Sequence, residues 1–221
     1  MRIVESWWNG WRVRMGRRLA LGLLAALSSV ACGSLPRTNY YTLRLPPPPD
    51  TRDPLVNVVL GIEPFRATGV LRDDRIVFYE SPTELHFYEY HRWSADPATM
   101  LTDLVARRLV QRAVFLEVRR LPAREPVDYI LRARVLSFEE VDYAAGVKGR
   151  VALEMTLVRS RDRKTLWSET RQAESAAEGK GVAAVVNALD AASARLLDEL
   201  LPVLVAQVER DLPQGSQPSP P

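Results

Sequence analysis

The chain has 221 residues, of which 47% are hydrophobic and 26% charged, with a formal net charge of +3 and a single cysteine. That length supports one substantial core and scarcely two, and a lone cysteine excludes an internal disulfide framework. The positive charge is concentrated at the start, where Arg2, Arg12, Arg14, Arg17 and Arg18 stand against Glu5 alone; the rest of the chain carries about −1, without the cationic surplus that nucleic-acid binding needs.

Arg17 and Arg18 precede an apolar run over residues 19–27, which passes through Ser28, Ser29, Val30 and Ala31 into Cys32. A positive start, a short apolar centre and small residues before a cut site make an export signal. The run is shorter than the roughly 20 apolar residues that span a bilayer. Residues 29–33 resemble the end of a bacterial lipoprotein signal, with Ser29 where leucine is preferred. Residues 1–31 are therefore expected to be removed and Cys32 to carry the lipid, which leaves no free thiol; an ordinary signal peptide with an incidental cysteine is the alternative. With two or three acyl chains, at about 0.8 kcal/mol per buried CH₂, anchoring becomes effectively permanent. Trp7, Trp8 and Trp11 crowd the stretch before Arg17, and Met15 is the expected translation start. Residues 32–38 then form a short lipidated tether.

Residues 40–45 read as a first strand, stopped by Pro46, Pro47, Pro48 and Pro49, which donate no ladder hydrogen bonds and favour an extended connection. Residues 56–63 form a second strand around Val56, Val58, Leu60 and Ile62, closed by Pro64. Residues 75–79 and 84–93, separated by Ser81, Pro82 and Thr83, read as a strand pair. Rings on both faces of the second member imply cover on both sides or an interface. Asp96 as cap and Pro97 at the first helical position open a helix with Leu101, Leu104, Val105 and Leu109 as its apolar stripe, while Arg107, Arg108 and Gln111 face elsewhere.

Residues 114–121 and 128–142 are strands, and alternation resumes after Gly149 with Val151, Leu153, Met155 and Leu157. A polar turn over 161–164 leads to a returning strand over 165–170, which completes a meander with one face against a core. Residues 180–209 carry a helical stripe through Val185, Leu189, Leu196, Leu200 and Leu204, within which Pro202 is expected to bend or divide the helix. Residues 212–221 are a tail with nothing to bury. The expected fold over 39–211 is α+β: a two-layer α/β sandwich with two main helices on one face of a mostly antiparallel or mixed sheet of about seven strands.

Chemistry-bearing residues are sparse. His86 and His91 stand five apart in a strand and so point to opposite faces, which is poor spacing for a shared metal, and Glu89 or Asp96 as a third ligand completes no His-Glu-x-x-His pattern. Ser94, His91 and Asp96 are the ingredients of acyl transfer but lack a glycine-framed nucleophile elbow. Gly146 and Gly149 lie between strands, away from the helix start that a phosphate loop requires. Glu139, Glu140 and Asp142 read as a solvated rim. No catalytic residue, metal site or cofactor is expected. What stands out is Tyr88, Tyr90, His91, Arg92 and Trp93, aromatics beside a guanidinium just before a capped helix. This group suits either a partner-protein hot spot or a structural motif in which Trp93 packs under the helix and Arg92 pairs with a carboxylate.

Tyr40, Tyr41, Thr42 and Leu43 shortly after a lipoprotein cysteine, the Tyr90-His91-Arg92-Trp93 motif before a helix, and Leu166-Trp167 in a late strand resemble the auxiliary lipoproteins of ABC-type transporters. PqiC-like members accompany Mce-type lipid transport systems. The resemblance spans about residues 36–211 and implies an α/β sandwich, no enzymatic activity, and a partnership with an Mce-domain protein and its ABC permease and ATPase. It also implies a lipid-anchored place on the periplasmic face of the outer membrane. Gly33, where inner-membrane retention would want aspartate, fits that sorting. A homo-oligomer is compatible with it, and a lipoprotein that assists lipopolysaccharide or another envelope polymer's assembly is the alternative.

Overall fold

The computed structural model describes residues 36–44, 56–143 and 146–212; the leader, Cys32, the run from Pro46 to Pro49 and the tail beyond Leu212 lie outside the described residues. Nine strands are described: β1 (Asn39–Tyr41), β2 (Val56–Ile62), β3 (Arg66–Ala67), β4 (Arg75–Ser81), β5 (Glu84–Trp93), β6 (Phe115–Arg120), β7 (Tyr129–Val141), β8 (Lys148–Arg159) and β9 (Thr165–Ala176). Helix α1 (Pro97–Arg112) stands between β5 and β6, and α2 (Val182–Asp211) closes the described domain.

The sheet is built along β7, its 13-residue spine. One edge of β7 pairs antiparallel with β8, and β8 with β9, which is the expected meander. The other edge takes three shorter strands end to end and parallel: β2 beside Tyr129 to Leu131, β3 beside Arg134 and Val135, and β4 beside Glu140 and Val141. The sheet therefore forks. Parallel β6 extends the β2 arm across the α1 crossover, whereas antiparallel β5 and then parallel β1 extend the β4 arm. The expected α/β sandwich is present, with a mixed sheet.

Alternation along β7 sets the two layers. Leu131, Ala133 and Val135 are buried opposite Leu157, Met155 and Leu153 of β8, while Arg132 and Arg134 are exposed. Helix α1 lies over β6 and β7, and α2 over β7, β8 and β9, so both cover one face. Asp96 caps α1 by accepting from Thr99 N–H at 3.0 Å. At Gly149 the α2 backbone sits on the sheet: a Cβ there would meet Leu189 N at 2.7 Å and Ala188 C at 2.9 Å. No helix among the described residues is long and apolar enough to cross a membrane.

Several local expectations change. Strand β1 spans three residues instead of reaching Leu45, and β9 runs on to Ala176 because antiparallel pairing with β8 continues to Lys148. Pro202 does not divide α2, which is one helix from Val182 to Asp211. The proline is exposed, while Leu197, Leu200, Leu201, Leu204 and Val205 around it are buried and hold both halves on the sheet. Arg108 does not face solvent: it is fully buried, with Nη2 3.5 Å from Asp198 Oδ1 of α2, and Arg112 Nη2 approaches the same oxygen at 3.3 Å. Burial lowers the Arg108 pKa, opposed by Asp198. This arginine pair links the two helices.

Candidate functional site: the β1–β5 edge

Strand β5 is irregular where the sequence motif sits. Its register against β4 shifts between Val77↔Phe87 and Arg75↔Arg92, so extra residues bulge between positions 87 and 92. The bulge resets the alternation. Phe78 stacks on His86 at 5.3 Å and meets Tyr88 at 4.8 Å; Tyr88 meets His91 edge-on at 5.7 Å, and His91 meets Tyr41 at 5.6 Å. The two histidines thus join one continuous ring row, where simple alternation placed them on opposite faces.

Each motif side chain has a defined place. The Tyr88 hydroxyl donates to Glu140 Oε2 at 2.7 Å, and burial, reinforced by that carboxylate, raises the Tyr88 pKa. His91 Nδ1 and the Tyr41 hydroxyl lie 2.8 Å apart. Arg92 Nη1 donates to Asp74 Oδ1 at 2.7 Å. Trp93 is 1% exposed against Phe138, with ring centroids 5.1 Å apart. Tyr90 is the most exposed of the five, at 36%; hydrogen bonding to Glu89 raises its pKa.

The motif is thereby the seat of β1. Asn39, Tyr40 and Tyr41 register with His91, Arg92 and Trp93, and Ser94 N–H donates to Tyr41 O at 2.7 Å. Leu43 is buried beyond the strand, and Arg44 N–H donates to Asp190 Oδ1 of α2 at 2.8 Å. Burial pushes the Asp190 carboxyl up to about 6, opposed by the bond from Arg44. Tyr41, Asp74, Glu140 and Asp190 were not singled out by sequence for these contacts. Only spatial pairing across 50, 18, 52 and 146 residues reveals them.

The supposed acidic rim is interior. Glu139 and Glu140 are 6% and 4% exposed because the fork covers this end of β7. Burial raises the pKa of both carboxyls; Glu139 Oε2 accepts from Phe138 N–H at 2.8 Å, and Tyr88 serves Glu140. Asp142, just beyond the strand, is exposed.

The acyl-transfer ingredients are dispersed: His91 meets Tyr41, the Ser94 hydroxyl points to Met100 Sδ at 3.9 Å, and Asp96 caps α1. His86 gathers Glu80 and Glu84 instead of Glu89 or Asp96, with candidate ligand atoms within 4.8 Å of one another. These side chains are solvent-accessible, and His86 Nε2 lies 3.2 Å from Glu84 Oε1, an ordinary dressing for a hairpin.

Fold and edge together define a helix-covered sheet domain whose N-terminal strand is secured by directed polar contacts. The chain belongs to the ABC-type transport auxiliary lipoprotein component family, whose model matches residues 41–200. It is accordingly a transport auxiliary lipoprotein of the cell envelope, anchored to a membrane. Among solved structures, protein XCC0632 from Xanthomonas campestris is similar over 78% of this chain and 98% of its own, with 24% identity and a TM-score of 0.72. The hypothetical protein CT253 from Chlamydia trachomatis has a TM-score of 0.50 at 9% identity, covering 71% of this chain and all 100% of its own. Both are likenesses of fold. No protein in the curated comparison matches at a significant level.

Proposed function

We propose that the protein is a non-catalytic docking component of an ABC/Mce-type system that moves phospholipid or other hydrophobic solutes across the envelope. Lipid on Cys32 anchors it to the periplasmic face of the outer membrane, and residues 33–38 give it limited reach. The observation that carries the reading is the family match over residues 41–200, which begins within the strand seated on the motif. In this reading Tyr88, Tyr90, His91, Arg92 and Trp93 form a structural motif that transmits the anchor to the folded domain. Tethering raises effective concentration, so a weak contact with an Mce-domain protein suffices.

Val110 and Leu116, 60% and 58% exposed, offer positions for photo-cross-linkers that leave the core intact. Cross-linking from them in intact envelopes is expected to capture an Mce-domain protein or its ABC permease. Repeated capture of polymer-assembly factors alone from correctly anchored protein would contradict the transporter assignment.

A further inference from the structure

We infer that the β1–β5 edge is the surface the domain turns to the bilayer, with the Tyr40 and Tyr90 rings seated among the lipid headgroups. The inference rests on lipid attachment at Cys32 and concerns the orientation which that attachment imposes.

Asn39 stands seven positions after Cys32, and an extended chain gains at most about 3.6 Å per position, so the tether can place the start of β1 no more than about 25 Å from the proposed lipid-bearing residue. The strand is also fixed. It registers with His91, Arg92 and Trp93, Ser94 holds Tyr41 O, and Asp190 holds the backbone of Arg44. Lengthening the leash would mean stripping β1 from the sheet.

Tyr40, at 65%, is the most exposed large hydrophobic side chain among the described residues, and Tyr90, at 36%, lies two positions before Arg92, the register partner of Tyr40. A phenol ring with an apolar body and a polar tip suits the boundary between headgroups and acyl chains. The most exposed aliphatic side chains, Val110 and Leu116, lie on α1 and β6, along the other arm of the fork. Tyr143, 37% exposed, already accepts from Arg150 Nη2 at 3.3 Å. Exposed tyrosine rings therefore mark this edge, Tyr40 at the end of the tether and Tyr90 bonded to its own strand neighbour Glu89, where the tether keeps the proposed lipid surface nearby.

The test uses the full acylated protein in vesicles of phosphatidylethanolamine and phosphatidylglycerol that contain a nickel-chelating headgroup lipid. Tyr40→Cys, Tyr90→Cys and Leu116→Cys each receive one spin label, because acylation leaves Cys32 without a thiol. Nickel broadening is expected to be several-fold stronger at positions 40 and 90 than at 116. Equal broadening at all three positions, or stronger broadening at 116, on floated and correctly folded protein would overturn the orientation while leaving the anchor intact. Protein that is unmodified at Cys32 and fails to float would instead overturn the anchoring reading, and this inference with it.

Discussion

The layers under α2 and the β1–β5–β4 arm of the fork are held by different physics. Beneath α2 the contacts are apolar and close: Leu189, Leu197, Leu200 and Leu204 are fully buried against the meander, and helix and sheet meet at Gly149 with no room for a Cβ. Along β1, β5 and β4 the ring row is only half-buried, and position is set by Tyr88 to Glu140, Tyr41 to His91, Arg92 to Asp74 and Arg44 to Asp190. Non-directional burial supplies stability, whereas directed pairs specify where a strand sits. The domain keeps its bulk stability in one region and fixes the position of β1 by directed pairs in the other.

Substitutions separate the two regions. Leu200→Ala is expected to cost about 2–5 kcal/mol in urea unfolding, since it opens a cavity under α2. Gly149→Ala forces the α2 backbone away and is expected to cost about 1–3 kcal/mol, again as a lower urea midpoint. On the β1–β5–β4 arm, Tyr88→Phe strands the Glu140 carboxylate and is expected to cost about 1–3 kcal/mol, with the Glu140 pKa rising further as a hydrogen bond that lowers it is lost. A Tyr88→Phe variant as stable as the parent would show that this arm is not held by directed pairs.

Asp190 gives the same comparison a pH dependence. Its carboxyl is raised from 3.8 to about 6, so its favourable contribution is fully present below pH 3.8 and is lost as pH rises through about 6. Asp190→Asn keeps an acceptor for Arg44 N–H without the buried charge. It is expected to be more stable than the parent at pH 7, by about 1 kcal/mol after allowance for partial solvent screening, with the difference disappearing near pH 4. An effect of the same order is expected from Tyr41→Phe, about 0.5–1.5 kcal/mol, read as faster hydrogen exchange at residues 39–41 while the amides of β8 keep their protection.

Where burial follows regular alternation, the sequence is legible. Leu131, Ala133 and Val135 mark the inner face of β7, Asp96 and Pro97 open α1, and the meander follows from its polar turns. Legibility fails where alternation is interrupted or burial comes from distant strands. The bulge at β5 moves His91 into line with Tyr88, and the fork covers Glu139 and Glu140, because β4 joins the C-terminal end of β7. Nor does local pattern distinguish the buried Arg108 from its exposed neighbour Arg107, since that depends on Asp198 of the second helix. The motif from Tyr88 to Trp93 was visible as a set of residues, but its seat for β1 was not, because a three-residue parallel pairing leaves no periodic trace.

We propose that this domain works as a module fixed to a membrane through lipid on Cys32. Intact-mass and N-terminal peptide analysis of the protein purified from envelopes tests it most directly. The expected mature chain begins at Cys32 and bears a diacylglycerol thioether and an acylated amine. A mature chain that begins elsewhere, or one that carries Cys32 as an unmodified thiol, would contradict it.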